Sequence, residues 1–272
     1  MAAKKPQSNS KPKSRAPGVK PGASKPRLLG KVAVVTGGSR GIGHAIARSL
    51  AAEGCSVVIT GRDPSALGQG AARITKSLPR IVASNKKPQQ IVAEVCDVRD
   101  PESVGSLFAA VKRRFGKLDV LVNNAGITQP TVTVEETTLE LWRDVIDTNL
   151  TGIFLCTRAA LPMMQAGATI VNNLSAAAKQ VFPNYATYSA AKRGALGFTL
   201  SVREELIPRG IRVMALMPGA TATDMWDQIM PNAPRERMID VESVAQAVLY
   251  AVLLPPNANL SELVLVPTGG AL

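Results

Sequence analysis

Residues 32–43 read VAVVTGGSRGIG, a run of β-branched residues followed by a turn that contains four glycines. The first part, VAVVT (32–36), has the composition of a buried strand, and the Ala-rich text after the turn predicts a helix near 41–52. Gly37, Gly41 and Gly43 would let the backbone approach a pyrophosphate, which the first N–H groups of a helix also attract. Glycines alone fit an ordinary turn equally well, but between a strand and a helix they predict dinucleotide binding.

The alternation of strand and helix continues to the end of the chain. Further strand-like runs are SVVIT (56–60), IVAEV (91–95), LDVLV (118–122), ATIVN (168–172), IRVMAL (211–216) and ELVLV (262–266). Helical periods lie near 65–77, 101–114, 185–207 and 240–253, with two more between about 137 and 165. Short strands that alternate with helices form right-handed crossovers. The pattern therefore predicts an α/β fold, a doubly wound seven-stranded parallel sheet flanked by helices, in one Rossmann domain over 30–272. The stretch 79–90, PRIVASNKKPQQ, breaks the period and is predicted to be a surface loop.

The start of the chain differs in composition from the rest. Residues 1–29 are rich in Lys, Pro, Ser and Gly, so we predict a disordered basic tail. Nine of the 32 Lys and Arg lie in residues 1–31, which contain no acid, so the body carries only +3 of the formal charge of +12. Its 4% aromatic content offers few platforms for bases, and no specific nucleic-acid binding is expected. Organelle targeting and nonspecific attraction to polyanions by the tail stay open.

Several classes of chemistry are excluded by what the chain lacks. Hydrolase triads need a histidine base and zinc sites commonly need histidine ligands, and only His44 could serve in either. His44 is interpreted as a surface or packing residue of a helix. Cys55, Cys96 and Cys156 form no CxxC pair and lie among apolar residues, so we expect core residues and no metal. No apolar run reaches the roughly 18 residues of a spanning helix, and a cytoplasmic protein without membrane association is expected.

Seven short motifs follow one another, each beside the carboxyl end of a predicted strand. They are TGGSRGIG (36–43), CDV (96–98), NNAG (123–126), TNL (148–150), a serine at 175, YSAAK (188–192) and MPG (217–219). In this combination the chain resembles the short-chain dehydrogenase/reductase family, of the single-domain Rossmann type, over nearly all of 30–270. The resemblance implies an oxidoreductase that moves a hydride between a nicotinamide cofactor and a ketone or secondary alcohol. It also implies a homodimer or homotetramer paired through the helices near 137–165 and 185–207.

The YSAAK motif places a lysine four residues after a tyrosine. On a helix these positions share one face, so Tyr188 and Lys192 can meet. By the resemblance, Tyr188 exchanges a proton with the substrate oxygen, while Lys192 favours its phenolate and holds the nicotinamide ribose. The same resemblance gives Ser175 a hydrogen bond to the substrate carbonyl and Asn149 a part in holding a proton-relaying water. Tyr185 is interpreted as a wall of the substrate cleft or a packing residue.

The resemblance also implies which residues contact the cofactor. The expected set is Gly37, Ser39, Arg40, Gly41, Ile42, Gly43, Arg62, Asp97, Val98, Asn124, Ala125, Gly126, Tyr188, Lys192, Pro218, Gly219, Thr221 and Thr223. Asp97 with Val98 matches the adenine contact, and Asn124 matches the residue whose backbone borders the adenosine ribose. Thr223 matches a contact to the nicotinamide amide or a diphosphate oxygen. Asp97 has an alternative reading as the cap of the helix that begins near Pro101.

The end of the second strand bears on which dinucleotide is used. Enzymes that prefer NAD place an acid there for the ribose hydroxyls. Here the strand ends in Gly61-Arg62, and the nearby Asp63 precedes Pro64 and reads as a helix start. Arg62 and Arg40 could approach a 2′-phosphate from two sides, which favours NADP (NADPH). The alternative is that both are solvated surface arginines.

The small-molecule substrate is less well defined than the cofactor. Residues 220–237 are expected to form a mobile flap over it, although a helix packed on the core fits them equally. The apolar side chains of this segment are Met225, Trp226, Ile229 and Met230. NNLSAAA (172–178) and ELVLVPTGG (262–270) depart from the text of many 3-oxoacyl carrier-protein reductases, so a 3-oxoacyl-reductase-like enzyme and a general carbonyl reductase both fit. Alternatives are a redox-sensing or scaffold protein without turnover, and an anion-binding protein that uses its tail.

Overall fold

The centre of the molecule is a parallel sheet of seven strands in the order β3-β2-β1-β4-β5-β6-β7. The structure is a computed structural model that describes residues 26–78 and 88–270. The strands are β1 (Val32–Thr36), β2 (Ser56–Gly61), β3 (Ile91–Val95), β4 (Val120–Asn123), β5 (Thr169–Asn173), β6 (Arg212–Pro218) and β7 (Glu262–Leu265). Every neighbouring pair is parallel. The predicted fold class is therefore confirmed.

Helices cover both faces of this sheet. They are α1 (Gly41–Ala52), α2 (Pro64–Ser77), α3 (Pro101–Phe115), α4 (Leu139–Ile146), α5 (Gly152–Ala160), α6 (Ala186–Leu206), α7 (Trp226–Ile229) and α8 (Val241–Val252). On one face, buried side chains of α1, such as Leu50, and of α8, such as Val248, pack on the strands. On the other face α3, α5 and α6 bury Leu107, Leu155 and Val202. Strands buried on both faces explain the continuous β-branched runs in the sequence.

Two helix starts follow the rule that an Asp before a Pro caps the first turn. Asp63 accepts hydrogen bonds from the backbone N–H groups of Ser65 and Ala66, which confirms its reading as a helix start. Asp100 caps α3 in the same way. The alternative reading of Asp97 as the cap of that helix is therefore wrong, and its carboxylate is left for another role.

The stretch between 137 and 165 holds the two predicted helices, but no loop separates them. A π-helical turn, Asp147–Thr151, joins α4 directly to α5. Asn149 lies inside this turn, where its side-chain N–H₂ donates to the carbonyl oxygens of Ile127 and Val145, each at 2.9 Å. Single π-turns inside helices often occur at functional positions. The turn brings a polar side chain to the interior at the end of β4.

The packed chain begins earlier than the sequence-based boundary at residue 30. Leu28 is 5% exposed and belongs to the core, and its N–H donates to the carbonyl of Glu53. Arg27 forms an exposed ion pair with Glu53 at 2.6 Å. The prediction for residues 1–29 rested on their average composition, which gives little weight to one apolar side chain such as Leu28. Residues 1–25 and most of the predicted loop at 79–90 lie outside the described residues.

The cysteines confirm their reading as core residues. Cys55, Cys96 and Cys156 are free and buried, and burial raises the pKa of each thiol. Within 26–78 and 88–270, no group of three or more His, Cys, Asp or Glu is arranged to hold a metal ion. In the same residues no helix combines the length and apolarity needed to cross a bilayer.

Candidate active site

The predicted site residues meet at the carboxyl edge of the sheet, where the strand order reverses between β1 and β4. In open α/β sheets this switch point forms the ligand crevice. The hydroxyl of Thr36, at the end of β1, accepts the backbone N–H groups of Asn124 and Ala125, each at 2.9 Å. These bonds join the glycine turn after β1 to the NNAG segment after β4. The two halves of the crevice are therefore held in fixed register.

The turn after β1 requires glycine at the predicted positions. Gly37 and Gly41 have φ of +63° and +58°, in the left-handed region. A Cβ atom on Gly43 would lie 2.3 Å from Nδ2 of Asn124 and 2.4 Å from the carbonyl oxygen of Gly37. Helix α1 begins after Arg40 without a capping side chain, so no side chain of the described residues caps its first N–H groups. This open helix start with close backbone packing fits a dinucleotide phosphate.

Asn124 braces the crevice with its side chain. Its Nδ2 donates to the carbonyl oxygens of Thr36 at 2.9 Å and Gly37 at 3.2 Å. Its Oδ1 accepts from Nδ2 of Asn173 at 2.8 Å. Because both ends of the amide are used, only the backbone of Asn124 is free to border a ribose, as the family resemblance implies.

Asp97 lies after β3 in a cluster of charges. Its carboxylate accepts from the guanidinium of Arg99, with a shortest distance of 2.7 Å, and Arg99 also donates to Asp144 on α4. The hydrogen bonds from Arg99 hold the pKa of Asp97 below its usual value, and the charge of Arg62 adds a smaller effect in the same direction. Val98 packs against α5, where a Cβ on Gly152 would lie 2.8 Å from its Cγ2. Asp97 is thus an ionised acceptor at the expected adenine end.

The two arginines expected at the 2′-phosphate are both solvent-exposed. Nη1 of Arg40 lies 3.9 Å from Oδ2 of Asp224, and both side chains are about 70% exposed, at 71% and 68%. Such a pair is weak and can exchange for an anionic ligand. Arg62 follows β2 directly, and Arg73 of α2 donates to the carbonyl of Ser39 at 2.9 Å. The glycine turn is therefore surrounded by positive charge.

Tyr188 and Lys192 share one face of α6, as the spacing predicted. Nζ of Lys192 lies 5.4 Å from the centre of the Tyr188 ring and donates to the carbonyl of Asn173 at 3.4 Å. Lys192 is only 4% exposed. The Ser175 hydroxyl accepts the backbone N–H of Ala177 at 3.2 Å and lies near enough to Tyr188 to lower the pKa of its phenol. The ring of Tyr185 packs edge-on against Tyr188 with centroids 6.4 Å apart, which agrees with its reading as a packing or wall residue.

Burial moves the pKa values of both groups toward their neutral forms. It raises the pKa of Tyr188 to about 12, against a smaller opposing effect of the Ser175 hydrogen bond, and Tyr185 raises it further. Burial also lowers the pKa of Lys192 to about 8. The Lys192 ammonium lies over the Tyr188 ring and donates to the backbone carbonyl of Asn173. That Lys192 favours the phenolate stays a prediction.

Asn149 and Lys192 lie on either side of Gly126. A Cβ on Gly126 would be 2.7 Å from Oδ1 of Asn149 and 3.7 Å from Nζ of Lys192. Oδ1 of Asn149 is buried and has no hydrogen-bond partner among residues 26–78 and 88–270. A buried oxygen of this kind normally has a partner. The site thus offers an acceptor close to the lysine.

A family model for the short chain dehydrogenases matches residues 31–234. The chain belongs to this family. Short-chain dehydrogenases are nicotinamide-dependent oxidoreductases, and the glycine turn and α1 fit such a cofactor. The family residues Asn149, Ser175, Tyr188 and Lys192 are all present and lie around the end of β5.

Three similar proteins illustrate the range of this short-chain dehydrogenase's relatives. A 3-oxoacyl-[acyl-carrier-protein] reductase of Synechocystis is 38% identical over 241 residues, covering 86% of this chain and 94% of the relative. A farnesol dehydrogenase of Aedes aegypti is 34% identical, covering 89% and 98%. A short chain dehydrogenase from Burkholderia cenocepacia, solved in complex with NADP, has a TM-score of 0.77 at 31% identity, covering 88% and 98%.

The far wall of the dehydrogenase site comes from the segment after β6. Pro218 ends that strand, and the next glycine packs on the C-terminal segment: a Cβ on Gly219 would lie 3.2 Å from Pro267. The Thr221 hydroxyl donates to the carbonyl of Gly219 at 3.0 Å, and Thr223 lies beside Gly41 of the glycine turn. All four predicted cofactor contacts of this segment therefore lie near the crevice.

The expected flap is partly fixed by hydrogen bonds. The indole N–H of Trp226 donates to Thr221 at 2.9 Å, and Arg235 donates to Thr223. Met225 and Met230 are 38% and 47% exposed, so they do not belong to the core. The sequence left two interpretations of this segment, a flap over the substrate and a helix packed on the core. The structure disfavours the packed helix, because Met225 and Met230 are exposed and α7 has only four residues.

Two polar residues of this dehydrogenase site were missed from the sequence. Gln129, 1% exposed, accepts the backbone N–H of Tyr188 at 2.8 Å. Asn173 links Asn124 to Lys192, and its own Oδ1 is buried without a partner within the chain. Neither residue lies in a recognisable motif. The sequence NNLS before and at Ser175 differs from the sequence usual in the family, and this difference could have drawn attention to Asn173.

Proposed function

We propose that the protein reduces a ketone to a secondary alcohol, or catalyses the reverse, with NADPH preferred over NADH and Tyr188 as the acid and base. The observation that supports this most directly is that Tyr188 shares one face of α6 with Lys192, whose Nζ lies 5.4 Å from the centre of its ring, with Ser175 near enough to lower the pKa of the phenol. A protein that only binds a dinucleotide has no use for that arrangement. Redox sensing or scaffolding without turnover is therefore the weaker alternative.

The chain's own groups would handle the proton while a bound NADPH supplies the hydride. With its pKa at about 12, Tyr188 is protonated at neutral pH and can donate to a substrate carbonyl oxygen. The Ser175 hydroxyl would hold that oxygen in place and stabilise its developing charge. Lys192 would then return a proton to Tyr188, with Oδ1 of Asn149 holding an intervening water.

The preference for NADPH rests on charge at the end of β2. Oδ1 of Asp63 accepts two backbone N–H groups of α2, so the nearest acid after β2 serves as a helix cap. Arg62 is exposed next to it, and Arg40 has only a long contact with Asp224. Two guanidinium groups would form charge-assisted hydrogen bonds with a 2′-phosphate. The NADP complex of the Burkholderia relative supports the same assignment.

A 3-oxoacyl thioester is the first substrate class to test. The similarity to the Synechocystis 3-oxoacyl-[acyl-carrier-protein] reductase, over 94% of that relative, supports it. A more general carbonyl reductase is the second candidate, because NNLSAAA and the C-terminal ELVLVPTGG depart from the text of many such reductases. The exposed Met225 and Met230 would suit an apolar acyl or ketone chain.

The proposal is tested by steady-state kinetics on purified protein. NADPH oxidation is followed with 3-oxoacyl thioesters, quinones and simple ketones, and kcat/KM for NADPH and NADH is compared. Arg62→Asp should lower the NADPH to NADH ratio about 10- to 100-fold, since one charge-assisted contact is replaced by repulsion. Arg113 is an exposed residue of α3, away from the crevice. Arg113→Asp makes the same change in net charge and should leave the NADPH to NADH ratio within twofold. A wild type that prefers NADH, or no turnover with any substrate, would contradict the proposal.

We propose in addition that the protein is a homodimer or homotetramer that pairs through α4, α5 and α6. Phe154 of α5 is 41% exposed and packs edge-on against Phe198 of α6, with Arg158 over its ring. Trp142 of α4 is equally exposed. Aromatic side chains and Arg in one exposed surface are typical of interfaces. Light scattering on the purified protein tests this, and a monomer at micromolar concentration would contradict it.

A further inference from the structure

We infer that Gln129 is a positioning residue that sets the location of Tyr188 in the reaction. This inference rests on the proposed role of Tyr188 as acid and base. Gln129 follows β4 by six residues and lies 59 residues before Tyr188 in sequence. Its side chain is the one link between this loop and the backbone N–H of Tyr188 itself.

The geometry leaves the amide no freedom. Oε1 of Gln129 accepts the backbone N–H of Tyr188 at 2.8 Å, and Nε2 donates to the carbonyl of Asn184 at 3.1 Å. With 1% exposure, the side chain is among the largest fully buried ones in the described residues. A buried amide with a donor and an acceptor on fixed partners specifies one orientation, because an inverted amide would face both partners with the wrong atom.

The contact replaces a missing helix cap. Helix α6 begins after Tyr185, whose side chain makes no capping bond, so the N–H of Tyr188 in the first turn would otherwise lack a partner. Many helices satisfy these N–H groups with a neighbouring Ser, Thr, Asp or Asn. Here the cap comes from a distant loop, and so the position of the first turn of α6 depends on that loop.

The same loop also fixes the turn that precedes α6. Asn184 has φ of +63°, a left-handed conformation that Asn tolerates better than most residues. Its carbonyl accepts from Gln129 and also from the backbone N–H of Val132. Gln129 thus holds both the turn before α6 and the residue that carries the reactive hydroxyl.

Positioning of this kind affects the chemical step more than binding. A displacement of about 1 Å at a reacting group can lower a rate about 100-fold. The cofactor residues of the glycine turn lie on β1 and α1 and make no contact with Gln129 in the described structure. Loss of the Gln129 amide should therefore lower the hydride-transfer rate and leave NADPH binding nearly unchanged.

The test compares single-turnover reduction rates, each divided by the number of NADPH sites found by fluorescence titration. Gln129→Met, close in size but without the amide, should lower the rate per site about 10- to 100-fold, with the dissociation constant for NADPH within twofold. Gln129→Ser should do the same, and it serves if the methionine variant does not fold, since a small hydroxyl leaves the helix end accessible to water. Gln129→Glu at pH 6, which keeps an acceptor for the Tyr188 N–H, should recover to within about threefold of wild type.

Gln89→Met is the matched control. Gln89 likewise donates to two backbone carbonyls, those of Ala51 at 2.6 Å and Cys55 at 2.8 Å, at the opposite end of β2. It should lose stability without losing rate per NADPH site. A rate per site within twofold of wild type for both Gln129→Met and Gln129→Ser would overturn the inference, as would an equal loss in Gln89→Met. A wild type without turnover would instead reject the proposed function. That result differs from any difference in rate per site between the variants and an active wild type, so the two failures can be told apart.

Discussion

At the scale of single residues, the chemistry of the site depends on burial more than on the charge of its neighbours. Tyr188 and Lys192 are four residues apart, so their contact follows from helix geometry and could be predicted. Their pKa values could not, because desolvation by the surrounding chain causes the main shift in both. With a pKa of about 12 the phenol is protonated at neutral pH, which is the form that a proton donor in ketone reduction must have.

Replacement of the Tyr188 hydroxyl should separate catalysis from binding. Tyr188→Phe removes the transferable proton, so we expect the rate of reduction to fall about 10²- to 10⁴-fold, with NADPH affinity within a few-fold. Tyr185→Phe is the matched control, because its hydroxyl accepts a hydrogen bond from Thr131 at 3.3 Å and its ring remains against Tyr188. Stopped-flow reduction and fluorescence titration measure the two effects. If the Tyr185 variant lost activity and the Tyr188 variant kept it, the assignment of the acid would be wrong.

The burial of Lys192, which its proposed function requires, should lower the free energy of unfolding. Its folded pKa of about 8 lies below its ordinary value of 10.5, so burying the charged form opposes folding below pH 8. Lys192→Met should therefore raise the free energy of unfolding by roughly 1–3 kcal/mol at pH 7 and abolish reduction. The gain should shrink between pH 8 and 10.5, where the folded lysine is neutral but the unfolded one is still charged. Urea unfolding at pH 7 and pH 10 measures this, and a variant less stable at pH 7 would contradict it.

At the scale of secondary structure elements, local rules predict the ordinary helices, and tertiary contacts decide the unusual ones. The Asp–Pro pairs at 63–64 and 100–101 announce the starts of α2 and α3 in the sequence itself. The π-turn at Asp147–Thr151 has no such signal, because Asn149 bonds to the loop after β4 as well as to its own helix. In the same way the cap of α6 comes from Gln129, which no local pattern could indicate.

The helical glycines should respond to alanine in opposite directions. Gly43→Ala at the start of α1 places a Cβ 2.3 Å from Nδ2 of Asn124, so we expect a loss of about 2–3 kcal/mol and much weaker NADPH binding. Gly105→Ala in α3 is the control, since a Cβ there meets no atom within 4 Å. It should gain about 0.5–1 kcal/mol from helix propensity. Thermal and urea unfolding distinguish the pair; equal effects would show that packing at the glycine turn is looser than the distances indicate.

At the scale of the whole molecule, the sheet topology brings motifs from five strands to one edge, which is why sequence order alone could locate the site. Each motif follows the carboxyl end of a strand or lies in an adjacent helical segment, and parallel strands place those ends together. The outer boundary of the domain was predicted less well. Composition averages over a segment, whereas a boundary depends on single side chains such as Leu28, which is buried against the core beside α1.

Two N-terminal deletions should locate that boundary. Removal of residues 1–25, a stretch rich in Lys, Pro and Ser, should leave stability and turnover within error of the full chain, since its sequence offers little apolar surface to bury. Removal of residues 1–29 also takes away Leu28, so we expect an additional loss of about 2–4 kcal/mol in the free energy of unfolding. The exposed ion pair of Arg27 with Glu53 should add little to this loss.

Leu28→Ala in the full chain separates the buried side chain from the length of the deletion. It should reproduce most of the difference in unfolding free energy between the two deletions, because Leu28 is 5% exposed whereas Arg27 and Gly30 are exposed. Arg27→Ala should cost less than about 1 kcal/mol, as exposed pairs usually do. Urea unfolding of the four variants and the full chain gives these values. If the 1–25 deletion were as destabilising as the 1–29 deletion, the stabilising contacts would lie before residue 26 and the role given to Leu28 would be wrong.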